Sequence, residues 1–132
     1  MAPTVLVVDD ERAQGELLRR WLESWGYKVR LARHAREALD VMLVEPVDIL
    51  LADIKMPGHD GLWLAERVRL KWPHTALILA SGGVALEAVK KAQIPGVVDY
   101  VTKPFGRELL REALDRAERW LKDLADQGRG SW

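Results

Sequence analysis

Short, almost wholly apolar runs alternate along this chain with longer stretches in which apolar residues recur every three or four positions. Thr4 to Val8 is the first short run and stops at Asp9-Asp10. From Glu11 to Trp25 the period changes: Leu18, Trp21, Leu22 and Trp25 fall at i, i+3, i+4 and i+7, one face of a helix. Gly26 supplies a stop. Lys28 to Ala32 reads as a second strand, and Ala35 to Val44 as a second helix closed by Pro46. Asp48 to Ala52 reads as a third strand, and Lys55 to Gly61 as a loop because of its Pro and Gly content. A third helix is expected over Leu62 to Lys71, before Pro73. A fourth strand covers Ala76 to Ala80, and a fourth helix Val84 to Ala92. Pro95-Gly96 turns the chain into a fifth strand, Val97 to Thr102. The last helix begins near Arg107 and carries an apolar stripe of Leu110, Ala113, Leu114, Ala117, Leu121 and Leu124. It is expected to end near Ala125, giving a domain over residues 1–126 and a flexible tail over 127–132.

Five strand–helix pairs in succession argue for a parallel sheet with helices on both faces. The strands are nearly all apolar, as strands buried on both faces should be. Composition narrows this further. At 132 residues the chain fits one domain with one core. No apolar run approaches the ~20 residues of a membrane span, and no basic, signal-like segment opens the chain. Both facts fit the cytoplasm and no membrane partner. There is no cysteine, which excludes disulfides and thiolate metal sites. Lys plus Arg equals Asp plus Glu at 20 each, so net charge offers no nucleic-acid surface.

The chemistry lies in where polar residues fall. Asp9 and Asp10 follow the first strand directly, Asp53 the third, Ser81 the fourth and Lys103 the fifth. Parallel strands gather their C-terminal ends on one edge, where open α/β sheets bind ligands. Three clustered carboxylates repel one another unless a cation sits among them. With no His or Cys beside them they suit a hard ion, Mg2+. A Lys and a hydroxyl facing that ion are what a transferred phosphoryl group needs. A carboxylate can itself accept the group as an aspartyl phosphate.

Val8-Asp9-Asp10-Glu11, the run from Asp53 to Gly61, Ser81-Gly82 and the run from Tyr100 to Phe105 together resemble the response-regulator receiver family of two-component signalling, across about residues 4 to 124. The resemblance implies a flavodoxin-like doubly wound fold, strand order 2-1-3-4-5. It implies Asp53 as phosphoacceptor and Asp10 as the main carboxylate ligand of Mg2+ (Mn2+ in its place also fits). Asp9 would act mostly through water, and the Lys55 backbone carbonyl would be a further ligand. Ser81 and Lys103 would hold the phosphoryl group, and Tyr100 would be the switch aromatic that follows Ser81. The Lys103-Pro104 bond is expected to be cis. Lys55 and Gly83, two residues beyond Asp53 and Ser81, are expected to tune dephosphorylation. The implied partners are a sensor histidine kinase or phosphotransfer protein, and a downstream protein or an output domain. A dimer through the fourth helix, fifth strand and fifth helix is a further expectation. The chain carries no output domain after its last helix, which fits either a stand-alone receiver or part of a longer protein.

Other readings exist for each piece. Asp9-Asp10 alone reads equally well as a helix cap. A receiver-like interaction module that no longer takes phosphate is the main alternative function. An aspartyl-phosphate hydrolase lacks its Asp-x-Asp-x-Thr motif here, and no Gly-x-x-x-x-Gly-Lys segment supports a P-loop enzyme. His59 and His74 read as solvated loop residues, and His34 as a helix-start residue. Trp21 and Trp25 read as core. Trp63, Trp72 and Trp120 read as core or partner surface. Trp132 reads as part of a frayed end.

Overall fold

The computed structural model describes residues 3–130, with the side chains of residues 83–85, 88, 92 and 128–130 outside that description. The elements run β1 (Thr4–Val8), α1 (Arg12–Ser24), β2 (Lys28–Ala32), α2 (Ala35–Val44), β3 (Ile49–Asp53), α3 (Gly61–Lys71), β4 (Ala76–Ser81), α4 (Gly83–Ala92), β5 (Val97–Thr102) and α5 (Arg107–Gly130). All strand pairs are parallel, in the order β2-β1-β3-β4-β5. This is the doubly wound order expected from the sequence.

The alternation of side chains along the central strands explains why β1, β3 and β4 are apolar nearly throughout, whereas the edge strands β2 and β5 carry Lys28, Arg30 and Asp99. Leu6, Val8, Leu50, Ala52, Leu77 and Leu79 feed one core, shared with α2, α3 and α4. Val5, Val7, Ile49, Leu51, Ala76, Ile78 and Ala80 feed the other, shared with α1 and α5. A period of two therefore serves two apolar faces, so no position along the central strands is left for a polar side chain until the strand ends.

Local chemistry sets the helix boundaries. His34 caps α2: its Nδ1 accepts from the Glu37 amide at 3.2 Å, the helix-start role expected of it. Asp60 caps α3, accepting from the Trp63 amide at 2.8 Å. Gly26 ends the turn after α1 at φ +93°, where a side chain would be strained.

Most boundaries fall within one residue of the sequence reading, with Asp53 and Ser81 the last residues of β3 and β4 rather than the first after them; one differs by more. α5 does not stop near Ala125 but continues to Gly130, through most of the segment expected to be a tail. Gln127 and Arg129 are good helix formers, and a Gly near a helix end costs only about 1 kcal/mol. Residues 131 and 132, and with them the expectation for Trp132, lie outside the described residues.

The aromatic residues resolve partly. Trp21, Trp25 and Trp120 are half-buried against the α1–α5 core, and Trp63 and Trp72 against the other. Trp25 also lies under Arg107 and Arg111 of α5, whose guanidinium carbons are 5.4 and 5.3 Å from its ring. No helix among the described residues is long and apolar enough to cross a membrane.

Candidate functional site

The C-terminal edge of the sheet carries the polar set. The Asp9 amide donates to the Ala32 carbonyl at 3.0 Å, so the end of β1 is still tied to the end of β2. Its side chain therefore projects from a fixed backbone, and Oδ1 accepts from the Glu11 amide at 2.9 Å. Asp53 is the last residue of β3, and its Oδ1 accepts from the Lys55 amide at 3.1 Å. Immediately after it, the Ile54 amide donates to the Ala80 carbonyl at 2.8 Å. Asp9, Asp10 and Asp53 each offer a carboxylate oxygen within 4.8 Å of the others.

Lys103 reaches this cluster from the turn after β5. Its Nζ lies 2.9 Å from Asp53 Oδ2 and 3.0 Å from Asp9 Oδ2. Only 22% of the Lys103 side chain is exposed, against 10% for Asp53 and 3% for Asp9, so the ions meet in a largely desolvated place. Burial pulls the Lys103 ammonium down, but hydrogen bonds and charge from Asp53 and Asp9 outweigh it, leaving the group above the ordinary lysine value. The Lys103-Pro104 bond is cis, as expected, and the Lys103 amide donates to the Ser81 carbonyl at 2.9 Å.

Asp10 is exposed, and among the described residues its carboxylate has no hydrogen-bond partner. Asp9 is already engaged by Lys103 and Glu11. Asp10 is thus the carboxylate of the three most open to solvent. The donor set is hard oxygen only, which fits Mg2+ or Mn2+.

Ser81, the last residue of β4, is 1% exposed, and among the described residues its Oγ has no hydrogen-bond partner. Buried hydroxyls are normally paired, and an orphan invites a functional explanation. Tyr100 stands in register with Leu79 and packs half-buried on the α2–α3–α4 core; burial raises its phenol. Gly83 opens α4, and its surroundings lie outside the described residues. Lys55 is exposed at the mouth of the site.

Sequence reasoning passed over three participants. Gly61 packs its α-carbon against the end of β3: a Cβ there would overlap the Asp53 backbone oxygen and stand 2.8 Å from the Ile54 Cα. Its amide also donates to the Ile54 carbonyl at 2.8 Å, closing the loop after β3. Asp99 accepts from the Tyr100 amide at 2.9 Å and from Arg116 of α5 at 2.6 Å, tying the backbone at Tyr100 to α5. His59 is exposed in the loop, as read, but also stacks on Trp63 with ring centroids 3.7 Å apart. The Asp-Gly pair at 60–61 was a visible signal for the first; side-chain reach alone decided the other two.

Comparison with known proteins agrees with this geometry. The family model described as response regulator receiver domain matches residues 5–115. Among solved structures, a response regulator receiver domain protein from Clostridium thermocellum superposes with a TM-score of 0.85 at 28% identity, covering 94% of this chain and 99% of that one. The chemotaxis protein CheY4 of Vibrio cholerae gives 0.81 at 26% identity, covering 89% and 99%. NtrX from Brucella abortus gives 0.83 at 28% identity; the match covers 99% of this chain but 29% of NtrX.

Proposed function

The chain belongs to the response regulator receiver domain family, and on that basis we propose that it is a phosphorylation-controlled switch with Asp53 as its phosphoacceptor. The observation that carries this is the convergence of Asp9, Asp10, Asp53 and Lys103 at one sheet edge.

The phosphoryl donor is a phosphohistidine on a sensor kinase or phosphotransfer protein. An Asp53 carboxylate oxygen attacks phosphorus. The P–N bond breaks with its electron pair going to the imidazole, which leaves as a neutral ring after taking up one proton. Lys103 offsets negative charge that develops on the phosphoryl oxygens, at no cost in reorganisation because Asp53 and Asp9 already hold it in place. A divalent cation held by Asp10, Asp53, Asp9 and the Lys55 carbonyl would neutralise the same oxygens. Ser81 Oγ, buried and unpaired, donates to the attached phosphoryl group. Tyr100, two register positions away along the β4–β5 ladder, follows it. The changed surface of α4, β5 and α5 is then read by a downstream protein, an output domain or a second copy. Lys55, exposed beside Asp53, sets the lifetime of the phosphorylated form together with Gly83; an autodephosphorylation rate left unchanged in Lys55→Ala would sink that assignment.

Acetyl phosphate with Mg2+, followed by intact mass, tests the main reading. One phosphate mass is expected on the wild type and none on Asp53→Asn, with the fold of both intact by circular dichroism. No added mass on the wild type would leave the chain as a receiver-like interaction module. Phosphate added equally to Asp53→Asn would remove Asp53 from its role.

A further inference from the structure

The loop between β3 and α3 carries Lys55 at one end and an aromatic stack at the other. The rings of His59 and Trp63 lie 3.7 Å apart and within 6° of parallel. Arg67, one turn along α3, sets its guanidinium carbon 3.8 Å from the Trp63 ring centre, and Arg36 of α2 stands at 6.0 Å. Trp63 is itself half-buried on the α2–α3–α4 core. The indole is thus a fixed platform, held by its helix, its core contacts and a cation.

The loop needs such a platform. Its two ends are pinned by the Lys55 amide on Asp53 Oδ1 and by the Gly61 amide on the Ile54 carbonyl. Between them Met56 is buried, but Pro57 to His59 make no hydrogen bond among the described residues, and Gly58 turns the chain at φ +79°. With the segment freely turning, the peptide beyond the pinned Lys55 amide, which carries its carbonyl, would turn relative to the carboxylates. The same loop and Asp10 line one open groove, from Lys55 to Gly58 and at Asp60. An exposed histidine lying flat on an indole is the contact that holds the middle of the segment.

We propose that His59 is a positioning residue: its ring, stacked on Trp63, fixes the β3–α3 loop and so keeps the Lys55 backbone carbonyl set for a divalent cation at Asp9, Asp10 and Asp53. This rests on the metal reading of that cluster. What the site requires of residue 59 is a flat ring; imidazole chemistry plays no part.

Two measurements on the full chain test it. Calorimetric titration with Mg2+ alone should show about 2- to 10-fold weaker binding in His59→Ala, the range an aromatic pair supports. His59→Phe, which keeps the ring, should bind within about twofold of wild type. Hydrogen exchange without metal should show faster exchange of the Lys55 and Gly61 amides in His59→Ala, restored in His59→Phe. Unchanged exchange and unchanged Mg2+ affinity in His59→Ala overturn the proposal, as does a His59→Phe variant as impaired as the Ala variant. A wild-type chain that takes up no Mg2+ overturns the metal reading, and the proposal with it. In a chain that binds Mg2+, failure of the variants overturns the proposal alone.

Discussion

Lys103 Nζ sits 2.9 Å from Asp53 Oδ2, fifty residues away in sequence, and the same ammonium reaches Asp9 at 3.0 Å. One cation from beyond β5 thus closes a bridge between the ends of β1 and β3, across the strand that lies between β3 and β5. The bridge compensates part of a three-carboxylate cluster that would otherwise repel itself. Among the described residues it also leaves Asp10, the exposed member, without a hydrogen-bond partner.

Replacing Lys103 with Met should therefore destabilise the metal-free protein. Breaking a fully buried pair costs about 3–5 kcal/mol; with Lys103 partly exposed, about 1–3 kcal/mol is expected at pH 7. Mg2+ should recover part of this, since it supplies positive charge to the same oxygens. The Lys103 value is raised in the folded state. Its contribution is thus full below the ordinary lysine value of about 10.4 and fades as pH climbs through the raised one. Urea unfolding at pH 7, with and without Mg2+, measures the effect. A Lys103→Met variant as stable as wild type in metal-free buffer would contradict it.

Gly61→Ala should damage the end of β3 from behind. The new methyl would meet the backbone of Asp53 and Ile54, which cannot swing aside as a flexible side chain could. Overpacking of this kind costs about 1–3 kcal/mol. Relief requires moving α3 or the end of β3, so divalent-cation affinity should fall as well. Thermal unfolding and a Mg2+ titration of the variant check both. Wild-type behaviour in each would mean that the contact relaxes freely.

These two residues mark the limits of what the sequence discloses. The order of elements was legible because the central strands β1, β3 and β4 are apolar on both faces and four of the five strands end abruptly in a polar residue, Asp9, Asp53, Ser81 or Thr102-Lys103. The convergence of those ends follows from parallel topology alone. What the sequence did not disclose is reach. Nothing in a Lys-Pro dipeptide says that its ammonium spans two strands to Asp9. Nothing in a loop histidine says that it lies on Trp63. The end of α5 was misplaced for a different reason: Gly128 and Gly130 suggested a tail, but glycines at the last turn weaken a long helix too little to end it.

Tyr27 gives a prediction away from the site. Its hydroxyl donates to Glu118 Oε2 of α5 at 2.9 Å from a position 6% exposed. Burial first, then the hydrogen bond and charge of Glu118, raise the phenol well above its ordinary value, against a smaller pull from Arg111. A raised folded value means stability that is full below about pH 10 and is lost as pH rises past it. Tyr27→Phe should cost about 1 kcal/mol at pH 8, for the lost hydrogen bond. It should also unfold less steeply with pH above about 10, the ordinary tyrosine value. Urea midpoints at pH 8 and 11 decide it; two curves that stay parallel would show that Tyr27 does not govern the alkaline limb.

Ser81 supplies the prediction that separates function from packing. An unpaired buried hydroxyl costs about 1–3 kcal/mol relative to a satisfied one, so a serine kept only for structure would be a poor choice here. Ser81→Ala removes the orphan oxygen and almost no volume. In the unphosphorylated protein it should be as stable as wild type or more stable, by up to about 1–3 kcal/mol. The loss should appear only once Asp53 carries phosphate. Treated with acetyl phosphate and Mg2+, the variant should gain the phosphate mass but less thermal stabilisation than wild type, because no hydroxyl meets the new oxygens. Ser81→Ala that is less stable before treatment, and equally stabilised after it, would make the serine a packing residue and move the switch elsewhere along β4.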